Sequence, residues 1–332
     1  MTSLSDPTDL SRTGAPAPVI RMFGWGMLGA LSAFMINNVL VVAFGFPGTH
    51  ALLAGDGGSL GWVHALIFAI CVGLAIVYVL QTPMQALRWD ADRIHRFNCY
   101  LVRSIFWAVL LVGVVDATIA FMRTEQLFLY FMDEESARFF GRARDVGPYI
   151  HTPLVVLGFV IGLFTRTLGF HWLALLIVLA ELLIVISRFV FSYEQALMGD
   201  LVRYWYAALF LFASAYTLFD EGHVRVDVLY AGFGRTTKGF VNAIGSIMLG
   251  MTTAWVILGV GFNGKQSIIN SPVANFEVTQ TGGVGMFVKY QMAAFLGIFA
   301  ITMLIQFVSY LFEAVADYRD EPGHRDHEAV TT

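Results

Sequence analysis

Long apolar stretches alternate with short polar connectors along most of the chain. A helix of about 20 apolar residues spans the ~30 Å hydrocarbon layer of a bilayer, because each residue rises ~1.5 Å. The pattern therefore predicts eight transmembrane helices and an all-α fold, that of a polytopic helical membrane protein. These helices run from Met22 to Phe44, Gly61 to Leu80, Leu101 to Met122, Gly147 to Thr165, Trp172 to Phe191, Leu201 to Phe219, Phe240 to Phe262, and Lys289 to Val315.

The fourth stretch has the shortest apolar core. That core, PLVVLGFVIGLF, contains only twelve residues. Such a length is typical of a re-entrant or tilted segment nearly as much as of a full span. The sequence leaves both possibilities open.

The positions of the basic residues predict the orientation in the membrane. With the amino terminus in the cytoplasm, twelve of the 20 Lys and Arg residues fall on the cytoplasmic side and eight on the outer side. Cytoplasmic loops carry the excess of Lys and Arg, so both termini are predicted to be cytoplasmic. Four of the eight outer residues lie in one connector, 123–145, where EQLFLYFMDEESARFF is predicted to lie as an amphipathic helix on the outer surface.

Composition supports a membrane protein and excludes several other classes. Hydrophobic residues make up 57% of the chain and charged residues 13%, against roughly 25% charged in an average soluble domain. No long basic run suggests nucleic acid. Cys71 and Cys99 are the only cysteines, which excludes a disulfide framework and a CxxC metal motif. The first 20 residues are polar and rich in Pro, Ser and Thr, which indicates a mobile tail and not a cleaved signal peptide.

Two carboxylates fall inside apolar spans. Asp116 lies in LVGVVDATIAF and Glu181 in LLIVLAELLIVI. An ionisable residue inside a membrane is a functional hypothesis by default, here an autonomous secondary carrier that uses both. The alternative is that each bonds to a neighbouring helix and serves packing, for instance Asp116 with Asn37 or Asn38.

Two histidines suggest a further alternative. His64 and His151 both fall near the outer ends of spans. A pair of imidazoles can ligate a haem, as in membrane cytochrome anchors. Near an interface, however, a partly hydrated histidine needs no ligand.

The stretch from Ser187 to Tyr230 concentrates charge around the sixth span. Arg188 closes the fifth span and Asp200 opens the sixth, where an acidic residue at a helix start is favoured by the helix dipole. A pair between these two residues would pin the hairpin of spans five and six. The connector FDEGHVRVDVLY follows, and its charges can stay hydrated at the membrane surface while its apolar residues dip towards lipid.

This stretch resembles the small permease subunit of tripartite ATP-independent periplasmic (TRAP) transporters. The residues that carry the resemblance are Arg188, Phe189 and Phe191, then Asp200, then Ala215 and Tyr216, then Glu221, Gly222, His223, Arg225 and Asp227, with Ser271 and Pro272 further on. Asp200 stands where Glu is more usual, and one glycine precedes His223 where two are common. The resemblance covers roughly Trp172 to Val315. The preceding residues make the chain look like a longer variety of small permease.

The resemblance implies a role without a catalytic, cofactor or metal site. In such systems a periplasmic solute-binding protein delivers a solute, often an organic acid, and a large permease subunit carries the sodium-coupled movement. The small subunit scaffolds the large one in the bacterial inner membrane and helps dock the binding protein. The residues expected at subunit contacts are Arg188, Asp200, Glu221, His223, Arg225 and Asp227.

The predicted organisation has four parts. Residues 1–20 form a mobile cytoplasmic tail, and residues 21–150 form an extra membrane region with three or four spans and the outer amphipathic segment. Residues 151–316 hold the small-permease-like four-helix unit and the span before it, and residues 317–332 form a polar cytoplasmic tail. Within the third part, GGVG at 282–285 predicts a flexible hinge and not a phosphate cradle, because it does not follow a strand. Membrane lipid is a further expected partner.

Overall fold

The computed structural model describes residues 11–48, 55, 58–166, 170–219, 230–278 and 284–323. These residues are mainly helical, and among them the only β-structure is an isolated bridge between Thr13 and Gln85. The predicted all-α class is confirmed. The helices are α1 (Pro18–Phe44), α2 (Gly58–Gln81), α3 (Leu87–Thr124), α4 (Glu134–Phe140), α5 (Ala143–Phe164), α6 (Phe170–Val190), α7 (Ala196–Phe219), α8 (Arg235–Gly261), α9 (Asn270–Asn275) and α10 (Lys289–Tyr318).

Eight of the described helices are long and apolar enough to cross a membrane, namely all except α4 and α9. They correspond in order to the eight predicted spans. The fourth, α5, is 22 residues long because an α-turn at Ala143–Val146 and a π-helical turn at Gly147–His151 precede its apolar core. At ~1.5 Å per residue this helix is long enough to cross the hydrocarbon layer.

Helix α3 begins well before the position that hydropathy predicts. It starts at Leu87, whereas the predicted span starts at Leu101, and it runs for 38 residues. Its first turns carry Arg88 and Asp90. Such charged residues mark the end of an apolar stretch in a hydropathy prediction, but both are buried in the structure. Buried charges are tolerated where they are paired, so polar contacts allow the helix to extend.

The described residues form two compact units. Unit I takes its residues from 1–98, 217–258 and 303–332, and unit II from 99–216 and 259–302. Each unit contains residues from the predicted extra membrane region and from the predicted small-permease-like part.

In unit I, a buried ion pair fixes the start of α1. Arg21 Nε lies 2.7 Å from Asp90 Oδ2, and both side chains are fully buried. Asp90 also accepts hydrogen bonds from Trp25 Nε1 at 3.0 Å and from Gln85 Nε2 at 2.5 Å. Because the carboxylate has several donors around it, its charge is compensated away from water.

A second set of polar contacts in unit I joins α3 to α10. Arg88 pairs with Glu313 at 2.7 Å and with Asp317 at 2.6 Å, and it also donates to the carbonyl of Pro322 at 2.9 Å. One turn further along α3, Ser309 Oγ donates to the carbonyl of Ala91 at 2.8 Å. The start of α3 is therefore tied to the end of α10 by both ionic and neutral hydrogen bonds.

In unit II, small residues allow α3 and α5 to pack closely. A Cβ added at Gly158 would lie 2.5 Å from the backbone nitrogen of Ala108, and one at Gly162 would collide with Ser104. The same close approach lets Arg103 Nε donate to the carbonyl of Gly162 at 3.0 Å. Glycines four residues apart are a recurrent device for backbone contact between membrane helices.

The connector after α3, predicted as one amphipathic helix on the outer surface, is built in two pieces. A 3-10 turn spans Leu127–Tyr130, and α4 follows after Asp133. Asp133 accepts from Ser136 Oγ at 2.7 Å and caps α4 by accepting from Ser136 N at 3.2 Å, and these two hydrogen bonds lower the pKa of its carboxyl. Phe128 is buried and stacks on Phe140 with ring centroids 4.4 Å apart. The predicted helix is thus divided at Asp133, where the side-chain cap starts a new helix.

Candidate functional site

The most elaborate polar site in unit II surrounds the residues that lead into α10. This lead-in, residues 285–288, is buried throughout. Three side chains hold its backbone. Arg123 donates to the carbonyl of Gly285, Asp200 accepts from Met286 N at 3.1 Å, and Asp116 accepts from Phe287 N at 2.7 Å. Two successive backbone N–H groups are therefore satisfied by carboxylates from two different helices, α3 and α7.

Arg123 also covers the lead-in from one side. Its guanidinium lies 4.0 Å from the ring centroid of Phe287, and its Nη1 donates to the carbonyl of Phe140 at 3.1 Å. Arg123 is seven positions after Asp116, so both side chains project from the same face of α3. A cation and a carboxylate on one face attract each other where water is scarce.

The π-helical turn of α5 brings His151 into the same site. A π turn adds one residue to a helical turn and so shifts the side chains that follow it. His151 is fully buried, with Nε2 3.1 Å from Asp116 Oδ1 and Nδ1 2.9 Å from Tyr290 Oη. The turn begins at Gly147, where the ring of Phe276 occupies the space that a Cβ would need.

The hydrogen bonds continue from His151 into α10 and α7. Gln291 Nε2 donates to Tyr290 Oη at 3.0 Å, and Gln291 Oε1 accepts from the hydroxyl of Tyr204. A consistent set of donors results if Tyr290 donates to Nδ1 of His151 and Nε2–H of His151 donates to Asp116. Each group then has a donor or acceptor opposite it, as buried polar groups require.

We name Asp116, Arg123, His151 and Asp200 the α10 anchor. These residues lie in α3, α5 and α7, and their partners include residues of the lead-in and of α10, so the anchor joins four helices and the lead-in. An arrangement of this kind specifies one position for α10, because a shift would leave several buried donors without acceptors. The anchor holds α10 in position, since its carboxylates already accept hydrogen bonds from backbone N–H groups and from histidine.

Sequence reasoning found some members of the anchor but not their partners. Asp116 bonds to His151 and Phe287, whereas the sequence predicts Asn37 or Asn38 as its partner. Asn37 Nδ2 instead donates to the carbonyl of His64 at 3.3 Å, and Asn38 is half-buried. In the predicted hinge GGVG, Gly285 is buried and its carbonyl accepts from Arg123, whereas Gly282 and Gly283 lie outside the described residues.

The two histidines proposed for haem are engaged by protein groups. Both ring nitrogens of His151 have hydrogen-bond partners, so neither is free to bind iron. His64 Nε2 lies 2.6 Å from the carbonyl oxygen of Pro47. Among the described residues, no cluster of three or more His, Cys, Asp or Glu side chains is placed to hold a metal ion.

The sequence predicts that Arg188 pairs with Asp200, but in the structure each of them lies closer to another residue. Arg188 Nε lies 3.5 Å from Glu194 Oε2, with both side chains more than half exposed. Asp200 is only 3% exposed and lies 3.6 Å from Arg203 Nη1. The connector between α6 and α7 is secured in another way, because Tyr193 and Gln195 both donate to Glu125. The bond to Glu125 raises the pKa of the Tyr193 hydroxyl.

A cleft of about 340 Å³ opens beside Asp200. It is lined by Asp200, Arg203, Ile268, Pro272, Val288, Lys289, Met292 and Ala293. Pro272 belongs to the Ser271–Pro272 pair that carried part of the family resemblance, and it lies in α9. Lys289 is paired with Glu277 at 2.8 Å, so the basic groups at the cleft already have acidic partners.

Glu181 is the one remaining predicted site residue among those that the structure describes. Glu181 lies on α6 and is exposed. Glu221, His223, Arg225 and Asp227 lie outside the described residues. Beyond the connector, Tyr230 Oη is 3.0 Å from Asn242 Oδ1, and Lys238 Nζ lies 5.3 Å from the centroid of the Tyr230 ring.

A comparison with protein families finds a match for most of the second half of the chain. Residues 174–316 match the family described as tripartite ATP-independent periplasmic transporters, DctQ component. The match contains most of α6 together with α7, α8 and α9 and nearly all of α10, but not α1, α2, α3 or α5. It confirms the resemblance that the motifs between Arg188 and Asp227 predicted. No curated protein and no solved structure matches the chain.

Proposed function

We propose that this chain is a small permease subunit that scaffolds a large permease subunit, because residues 174–316 match the DctQ component family of TRAP transporters. In this role it also helps to dock a periplasmic solute-binding protein. The transporter would take up a solute of the organic-acid class in a sodium-coupled manner, across a bacterial inner membrane. The family match carries the proposal.

The use of polar groups inside the chain supports a scaffold. Asp116 is occupied by His151 and by the backbone of Phe287. An ion path through an autonomous carrier needs groups that can exchange partners with solute or water. A carboxylate that holds a helix in place is poorly suited to that exchange.

Co-purification tests the proposal most simply. The tagged chain is extracted from native membranes in mild detergent, and the proteins that remain bound are identified by mass spectrometry. We expect a polytopic permease in a fixed ratio to the chain. Recovery of the chain alone, under conditions in which it stays folded, would overturn the proposal.

Reconstitution tests the competing function. The purified chain is placed alone in liposomes with a sodium gradient, and uptake of organic acids is measured. We expect none without the large permease. Uptake by the chain alone that is abolished by Asp116→Asn would favour the autonomous carrier instead.

A further inference from the structure

Helix α6 is one of the two least buried spans of the described chain. Only 11% of its most apolar window is buried, the same share as in α2. Leu173 and Ala180 are its buried residues, whereas Val178 is 63% exposed and Leu183 is 60% exposed. The helix therefore presents a broad surface to its surroundings.

Glu181 lies on that surface near the middle of the 21-residue helix. It makes no hydrogen bond or ion pair with any residue that the structure describes. Asp116, the other intramembrane carboxylate, is fully buried and bonded on both oxygens. The chain thus supplies hydrogen-bond donors to one of these two intramembrane carboxylates and leaves the other exposed near the middle of its helix.

Lipid is a poor neighbour for this side chain. Acyl chains offer no hydrogen-bond donor, and an ionised carboxylate at the centre of a bilayer is strongly disfavoured. Glu181 is too far from either end of α6 to reach the interface easily. A protein partner that supplies a cation or donors would remove that cost.

A second copy of this chain does not provide that partner. The basic residues of the described spans lie near helix ends or are bonded inside the chain, as Arg103 is to the carbonyl of Gly162. In a two-fold symmetric contact through this face, Glu181 would approach Glu181 of the other copy. Like charges at that depth repel, so the charge pattern favours a different protein.

We propose that the face of α6 around Glu181 docks against a transmembrane helix of the large permease subunit. The partner helix presents a Lys or Arg side chain at the depth of Glu181. The exposed apolar residues on either side of Glu181, such as Val178 and Val185, pack around this ion pair. The inference rests on the proposed function and adds the chemistry of the contact.

Charge variants at position 181 test the contact. The tagged chain is co-expressed with the large permease, and the permease retained per tagged chain is measured after washing in mild detergent. We expect Glu181→Leu and Glu181→Lys to reduce retention at least about tenfold, because a cation on the partner is left unpaired away from water. Leu74→Val changes a similarly exposed apolar residue on α2, outside the proposed docking face, and should retain the permease as the wild type does.

A second measurement separates a lost contact from a misfolded subunit. The thermal midpoint of each variant is measured on the subunit purified alone. Glu181→Leu should match or exceed the wild type, because it removes an unpaired carboxylate from an exposed apolar face. A subunit that is equally or more stable but fails to retain the permease identifies position 181 as a docking residue.

The remaining outcomes are decisive. If the wild type retains the permease and both charge variants retain it equally, the role of Glu181 is overturned while the scaffold function stands. If the wild type retains no permease, both proposals fall. A photo-crosslinker at Leu182 should attach to the permease, and attachment to a second copy of the chain would overturn the choice of partner.

Discussion

Helices α3 and α6 each carry one carboxylate inside an apolar span, and the two helices are built differently around it. In α3, Asp116 is fully buried and accepts hydrogen bonds from His151 and Phe287. In α6, Glu181 is exposed and has no partner among the described residues. The apolar window of α3 is 44% buried, against 11% for α6.

The contrast is instructive because it runs opposite to the family match. Helix α3 lies outside the matched residues 174–316, whereas most of α6 lies inside them. Helix α3, which the family match does not include, therefore contributes many of the buried polar contacts in the structure. Helix α6 of the matched region, by contrast, leaves most of its apolar surface exposed.

The largest expected effect comes from removing the acid of α3. Asp116→Leu leaves the donors of His151 and Phe287 buried without an acceptor. Loss of hydrogen bonds to a charged group, with the donors left unsatisfied, should lower the free energy of unfolding by about 3 kcal/mol. Thermal unfolding of the purified subunit measures this.

The conservative change at the same position is the control. Asp116→Asn keeps one acceptor oxygen and should lose roughly half as much stability as Asp116→Leu. Equal, small effects from both variants would mean that the α10 anchor does not stabilise the fold, and the contrast with Glu181 would disappear.

A steric change at the contact of α3 with α5 should have the next largest effect. In Gly162→Ala the new methyl group meets Ser104, and overpacking at such a contact costs about 1 to 3 kcal/mol. The same substitution at Gly73 of α2 is the matched control, since a Cβ there meets nothing within 4 Å.

Comparing the two alanine variants in one unfolding assay isolates packing from helix propensity. Gly73→Ala should be neutral or slightly stabilising, by up to about 1 kcal/mol, because alanine favours helix more than glycine does. If Gly162→Ala is equally harmless, α3 and α5 are not in backbone contact.

The charged connector between α7 and α8 should affect assembly and not folding. We expect Arg225→Ala and Asp227→Ala each to reduce the permease that co-purifies by about threefold, as the loss of an exposed ion pair would. Membrane insertion and the thermal midpoint of the subunit should not change. Unaltered capture by the double variant would make the connector a hydrated surface only.

The smallest expected effect concerns Asp133, an exposed acid whose partners are local. Its folded pKa is lowered by hydrogen bonds from Ser136. The stabilisation of α4 should therefore be complete above the unfolded pKa, about 3.9, and be lost as the pH falls through the folded pKa. Hydrogen exchange of residues 134–140 across that range reports the change.

The variant Asp133→Ala should remove this pH dependence and speed exchange in α4 alone. A pH response that persists in the variant would assign it to another group. Either way the global midpoint should stay unchanged, in contrast to Asp116→Leu.

The spans and the family resemblance could be predicted because their signals are local in sequence. Hydropathy windows and the order of residues from Arg188 to Asp227 need no knowledge of distant partners. The predicted pair of Arg188 with Asp200 illustrates the limit. In the structure Arg188 lies closer to Glu194, and Asp200 lies closer to Arg203.

The α10 anchor was beyond reach for the same reason. Asp116 and Phe287 are 171 positions apart, and Asp200 and Met286 are 86 apart. Their partners are backbone N–H groups, which every residue except proline has, so no residue type marks them. A hint was available in the π turn, since glycine and proline at 147 and 148 interrupt an otherwise regular helical pattern.

One paired measurement tests the central claim, that Asp116 serves the fold and Glu181 serves a partner. Asp116→Leu and Glu181→Leu are compared for the thermal midpoint of the subunit alone and for permease retained after co-expression. The account predicts that Asp116→Leu lowers the midpoint, while Glu181→Leu leaves the midpoint intact and loses the permease. It would be contradicted if Glu181→Leu retained the permease fully, or if Asp116→Leu unfolded at the wild-type temperature.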